Sequence, residues 1–255
     1  MDVFGPQIIE LLQQYLWPMV RVSAFFLTAP FFGLAAINLR VKIGLSMMFT
    51  WFVLPGLTVP DIDPFAFSSA LLLAQEVMIG VFMGLFLQIV VAALVGAGQL
   101  IAGGMGLSMA NMIDPNLGNV PTLSQFFLLI GMLLFIALGG HLILLSVLQY
   151  SFEAVPLAGE ALSGAMLMGL VNWSGTMFIG AAAIGFPVVF GLLVINASVG
   201  LIARAAPSLN VFAIGFPALI PAGLIMLLIT TPIWFERLEN LWFLAFQNIR
   251  TTLVS

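Results

Sequence analysis

The spacing of its charged residues constrains this chain more than any motif does. No Asp, Glu, Lys or Arg occurs from Val22 to Leu39, Ile43 to Pro60, Val77 to Ile113, Ala161 to Ala203, or Ala205 to Phe235. From Pro115 to Phe152 the run is interrupted only by His141. A bilayer crossing takes about 20 apolar residues, so these gaps allow about six hydrophobic helices. Two of the gaps are long enough for a helical hairpin or an over-long helix. Only 6% of the 255 residues are charged, against roughly 25% in a soluble domain. Such a chain either sits in lipid or is buried among equally apolar subunits. The fold class that follows is all-α, a hydrophobic multi-helix protein with broken helices and hairpins.

In chain order, a first helix is expected from about Pro6 to Phe32, bent near Pro18 because proline removes a backbone donor. A second runs from Val41 to Leu54 and stops at Pro55-Gly56. Pro60 to Pro64 is a turn. A third helix runs from Phe65 to about Leu100 and holds Gly80-x-x-x-Gly84, a spacing that lets two backbones approach closely. Pro121 reopens a helix that continues to Tyr150, and Ser151 to Gly159 is a turn. Helices at Ala165–Ile202 and Val211–Ile229 contain Pro187 and Pro217 in a repeated Ala-Ile-Gly-Phe-Pro string, and both prolines are expected to interrupt their helices. The repeat is two similar kinks rather than a duplicated unit. Between them, Arg204 anchors a helix end and Pro207 stops it, with Ser208 or Asn210 capping the next. The segment from Ile233 to Ile249 is amphipathic. Loop charges put Arg40, Lys42 and Arg204 on the cytoplasmic side and the acidic turns at Asp61/Asp63 and Glu153/Glu160 outside, if every helix crosses lipid.

Gly98 to Pro121 is neither a clean apolar helix nor a charged loop. Gly98, Gly103, Gly104, Gly106 and Gly118 make its backbone permissive. Met105, Met109 and Met112 share one face if the segment is helical. Methionine is unbranched and adaptable, which suits a seal that closes, yields and closes again. Asp114-Pro115 ends the helical turn.

Signals for catalysis are poor. There is no Cys and one His, so a thiolate or multi-histidine metal site is missing. His141 reads as a hydrogen-bonded structural residue. The glycines lack the lysine and the strand–loop–helix context of a phosphate loop. No cofactor is expected. A formal net charge of -4 with scattered cations argues against nucleic acid. The N-terminus lacks the basic stretch of a cleavable signal peptide. Glu76, inside an apolar helix, is a functional candidate by its cost alone. A hydrogen-bonded structural role is favoured over a proton relay, since no basic residue lies beside it in sequence. A small-solute or proton transporter using Glu76 and the proline-broken helices is the alternative function.

Three blocks, Gly104 to Phe126, Gly139 to Pro156 and Arg204 to Pro217, resemble the FliR family of flagellar type III secretion export-gate proteins. The resemblance covers nearly the whole chain. It implies a non-enzymatic subunit of a helical hetero-oligomer with FliP and FliQ at the bacterial inner membrane, in the flagellar basal body. FlhB and the FlhA ring would be neighbours, membrane lipid a further contact, and unfolded flagellar subunits the cargo. It also implies that Gly104 to Pro121 is a plug loop obstructing the central channel. Residues 1–160 would form a FliP-like part, and 161–255 a FliQ-like hairpin with the amphipathic tail. In such assemblies the apolar helices lie largely above the bilayer plane, packed on partner subunits.

Overall fold

The computed structural model describes residues 4–33, 37–59, 67–107, 122–157, 159, 163–205 and 211–254. Among them the regular structure is helical: α1 (Phe4–Thr28), α2 (Leu39–Val53), α3 (Phe67–Gly104), α4 (Thr122–Ala137), α5 (Gly140–Ala154), α6 (Gly164–Ser174), α7 (Thr176–Ala205), α8 (Val211–Ile229) and α9 (Thr231–Leu253), with a 3-10 turn at Leu54–Gly56. The all-α expectation holds.

Helix ends follow local chemistry. The Asn38 side chain accepts from the Arg40 amide at 3.1 Å and starts α2, and Pro55 in the 3-10 turn ends it. Ser163 Oγ accepts from the Met166 amide at 3.0 Å and starts α6; both are N-caps. Between α8 and α9 the Leu227 carbonyl accepts from Thr231 Oγ1 at 3.0 Å and Trp234 Nε1 at 3.2 Å. These side chains satisfy backbone that the bend around Thr230 and Pro232 leaves open.

Two breaks differ from expectation. The helix expected from Pro121 to Tyr150 is two helices, because Gly139 takes a left-handed φ of 70°, a conformation open to glycine at little cost. The helix expected from Ala165 to Ile202 breaks at Gly175, whereas Pro187 lies inside an unbroken α7. The backbone of α8 likewise continues through Pro217. An isolated proline removes one bond and can be carried in a long helix that its neighbours hold.

The chain divides into two packing units that interleave in sequence. One comprises residues Met1–Ile89, Gly139–Ser174 and Leu244–Ser255; the other comprises Val90–Leu138 and Gly175–Phe243. In the first unit α1 pairs with α2, Phe26 meets Phe49 edge-on at 6.1 Å, and Tyr15 donates to the Met47 carbonyl. Trp173 of α6 donates through Nε1 to the Phe86 carbonyl of α3 at 3.0 Å. In the second, α7 and α8 form a hairpin, and Phe127 packs on Trp234 and Phe135 on Trp242 at 5.4 and 4.7 Å. Along α9, Trp234, Leu238, Trp242, Ala245, Ile249 and Leu253 are buried at helical spacing, the amphipathic stripe expected of the tail.

Two helical runs among the described residues are long and apolar enough to cross a membrane, Ser69–Gly104 and Gly164–Ile202, the second joining α6 and α7 through the single turn residue Gly175, and up to four spans result if each of two bent pairs counts as one. That is fewer than the six the charge gaps allow. The 15 residues of α2 make about 22 Å of helix against about 30 Å of hydrocarbon. The alternating topology drawn from loop charges assumed a crossing at every helix and does not follow.

Candidate functional site

The first polar constellation lies where α1 crosses α3. On α3, Glu76, Gly80, Gly84 and Gln88 recur every fourth residue and so share one face. They meet Arg21, Ala24 and Thr28 of α1. A Cβ on Gly80 would stand 2.5 Å from the Arg21 carbonyl oxygen and 2.8 Å from the Ala24 Cβ, and one on Gly84 2.6 Å from the Thr28 Cβ. The Gly80-x-x-x-Gly84 spacing is thus the close crossing itself. Gln88 locks one end, donating to the Thr28 carbonyl at 2.9 Å.

Arg21 and Glu76 lock the other end. Arg21 Nε donates to Glu76 Oε2 at 2.6 Å and Nη2 to Oε1 at 3.1 Å, a two-pronged pairing that fits the planar guanidinium. The two residues are 0% and 3% exposed. Nη1 donates to the carbonyls of Ser151 and Val155 at 2.9 and 2.8 Å. Those groups close the C-terminus of α5, where helix carbonyls lack partners and a cation is favoured. The guanidinium also lies 4.5 Å from the Phe152 ring centroid, within cation–π range. Three helices are therefore tied by one side chain. Sequence proximity showed no partner for Glu76 because Arg21 lies far away along the chain. The available signal was that each is a lone charge inside an apolar helix, and opposite lone charges in such helices tend to pair.

The second constellation is the root of the segment that begins at Gly98. Helix α3 ends at Gly104 in a closed turn: the Gly106 amide donates to the Gly103 carbonyl at 3.0 Å and the Leu107 amide to the Ala102 carbonyl at 3.0 Å. Gly106 has φ 77°. This is a Schellman cap, with glycine at the left-handed position. Met105 is 1% exposed and packs against Gly223 of α8, where a Cβ would lie 2.7 Å from the Met105 Cγ. Gly104 faces Leu192 of α7. On the far side of the segment, Ser124 of α4 is fully buried, donates to the Val95 carbonyl of α3 at 3.0 Å and crowds Gly98. Both roots of the segment are thus fastened to α3.

Of the expected sealing residues, Gly103, Gly104, Met105 and Gly106 are in place at this root, while Met109, Met112, Asp114 and Pro115 lie outside the described residues, as does Pro207. Met105 follows the last residue of α3, Gly104. Its side chain turns into the protein. Arg204 is exposed in the last turn of α7, the end where a cation is favoured. His141 opens α5, and its Nδ1 is buried without a hydrogen-bond partner among the described residues. Among the described residues no group of His, Asp and Glu could hold a metal ion.

Comparison with known proteins follows the same segments. A family model for bacterial export proteins, family 1, matches residues 12–245. The chain is 33% identical to the flagellar biosynthetic protein FliR of Escherichia coli (strain K12) over 243 residues, 95% of this chain and 93% of that protein. It is 35% identical to the protein of the same name from Pectobacterium carotovorum subsp. carotovorum over 230 residues, 90% of this chain and 88% of that protein. With the one from Bacillus subtilis (strain 168) it shares 30% over 253 residues, 96% of each.

Proposed function

The chain belongs to the bacterial export proteins, family 1, and we propose that it is a non-enzymatic structural and gating subunit of the flagellar type III export channel, whose residues beyond Leu107 plug the central pore. As an export-apparatus component with two to four candidate spans, its place is the bacterial inner membrane at the flagellar basal body. Its partners in this proposal are FliP and FliQ, with FlhB and FlhA adjacent, and its cargo is unfolded flagellar subunits.

The observation that carries the plug reading is the double anchoring on α3. A loop that must obstruct a channel and still yield needs fixed roots, and here one root is the Schellman turn at Gly106 and the other is Ser124. The α7–α8 hairpin supports the companion proposal of a FliQ-like region after residue 160. The transporter alternative draws no support from Glu76, whose carboxylate oxygens both accept from Arg21.

Deleting Ser108 to Val120 in the assembled complex tests the plug. Small-molecule leakage through the complex should rise while assembly persists. Unchanged permeability with normal export would refute it.

A further inference from the structure

We infer that the outward face of α2 is a lipid-binding surface that lies along the membrane interface and selects phospholipids with an anionic headgroup, a property independent of the plug. The 15 residues of α2 are too few to cross about 30 Å of hydrocarbon, yet its outward side chains suit contact with lipid. Arg40, Val41, Met47, Met48, Trp51 and Phe52 are exposed, and their spacing puts them on one side of the helix. Ser46 and Thr50 are buried, and their hydroxyls donate to the Lys42 and Ser46 carbonyls at 2.8 and 2.7 Å. Beyond Arg40 the outward stripe therefore carries one polar group, the Trp51 indole, and tryptophan favours the membrane–water interface.

Charge chooses the headgroup. No Asp or Glu occurs from Leu11 to Pro60, whereas Arg21, Arg40 and Lys42 all fall in that stretch. Glu76 neutralises Arg21. Two cations are left in the first turn of α2, on a chain whose formal net charge is -4. A helix disfavours cations in its first turn. Among the described residues neither side chain has an ion pair or a hydrogen bond, so nothing in the helix itself favours their charge. An anionic headgroup does, by about fivefold in affinity for each Lys or Arg held near such a surface. A helix lying in the interface sinks its apolar side chains into the boundary between headgroups and acyl chains and keeps its cations among the headgroups. The segregation along α2, cations in the first turn and Met47 to Phe52 after it, matches that of a phospholipid.

Trp51 supplies its own reporter. It is 70% exposed, whereas Trp17, Trp173, Trp234 and Trp242 are buried. With the assembled complex in phosphatidylcholine bilayers, phospholipids brominated on their acyl chains quench tryptophan emission on contact. The difference between the parent and Trp51→Phe isolates the Trp51 signal. At the same low mole fraction, brominated phosphatidylglycerol should quench that signal more than brominated phosphatidylcholine, with a preference of about fivefold for each cation engaged. Arg40→Gln combined with Lys42→Gln should abolish the preference and leave quenching by brominated phosphatidylcholine in place. Added salt should shrink the preference in the parent protein, because exposed charges are screened; this arm needs no substitution at the cations. A partner subunit seated on α2 would leave Trp51 unquenched by either lipid, and that result overturns the inference. Equal quenching by the two lipids, or a preference that survives both salt and the double substitution, overturns it as well.

Discussion

Arg21 concentrates more of the first unit's organisation than any other single side chain, and its removal has a calculable consequence. Arg21→Ala leaves the Glu76 carboxylate buried without its counter-charge, which typically costs about 3–5 kcal/mol, and strips donors from the α5 carbonyls of Ser151 and Val155. The paired variant Arg21→Met with Glu76→Leu removes both charges, and such swaps are often neutral. It should recover most of the loss, short of the cost of the two hydrogen bonds removed from the Ser151 and Val155 carbonyls, of which Ser151 keeps the Val155 amide at 3.0 Å. Thermal unfolding of the assembled complex checks the order, with the double variant melting above the single one. Export separates structure from proton relay: a structural pair lets the double variant export, and a relay through Glu76 does not. The glycines of the loop root differ just as sharply. Gly106 needs its left-handed φ of 77°, so Gly106→Ala should cost about 1–2 kcal/mol. Gly103 is helical and a Cβ there meets nothing within 4 Å, so Gly103→Ala should stabilise by roughly 0.5–1 kcal/mol. Equal melting temperatures for the two variants would contradict the cap.

Helix α3 contributes residues to both packing units. Ser69–Gly104 has 36 residues, about 54 Å at 1.5 Å per residue, well beyond about 30 Å of hydrocarbon. Its first half carries the Glu76–Gln88 face that receives α1. Its second half receives Ser124 of α4 at Val95 and Gly98 and the glycines of α7, with a Cβ on Gly185 lying 3.5 Å from the Ala97 carbonyl oxygen. Close helix approach is what its small residues serve. Gly84→Leu should therefore part α1 from α3, an overpacking cost of about 1–3 kcal/mol or more. Gly44→Ala on α2, where a Cβ meets nothing within 4 Å, should leave stability unchanged or slightly raised. Melting of the two variants side by side makes the comparison, and similar losses would argue against a close crossing at Gly84.

For the molecule as a whole, the decisive property is how much apolar surface faces outward. Trp51 and Phe52 on α2 are 70% and 72% exposed, Phe178 and Ile179 on α7 69% and 71%, and Leu228 on α8 74%. On α2, Ser46 and Thr50 are buried beside Phe49 and Val53 and bond the carbonyls four residues earlier at 2.8 and 2.7 Å, while Met47, Met48, Trp51 and Phe52 are exposed. Soluble monomers rarely expose patches beyond a few hundred Å². Produced without partners or detergent, the chain should elute as aggregate on size exclusion. A sharp peak at the monomer mass of 27.3 kDa would refute that surface.

The helical class, most helix boundaries and the amphipathic tail were legible from one dimension, because charge gaps and caps act locally. Gly139 and Gly175 were missed as breaks because glycine is common in apolar helices and gives no sign there of its φ or of a turn. Hydropathy counts apolar length and is blind to a bend, so the charge gaps allow more hydrophobic helices than the two to four candidate spans among the described residues. The pairings were not legible at all. Arg21 with Glu76, Met105 with Gly223 and Ser124 with Gly98 join residues remote in sequence. Helices such as α3, α7 and α8 are apolar all round, so no periodicity marks which face turns inward. Only tertiary packing chooses among such faces, through shape at the glycine notches and the need to satisfy each buried polar group. Sequence alone thus settled the apolar and helical character of the chain, and the three-dimensional structure decided where it bends, which faces pair, and how α3 closes in the turn at Gly106.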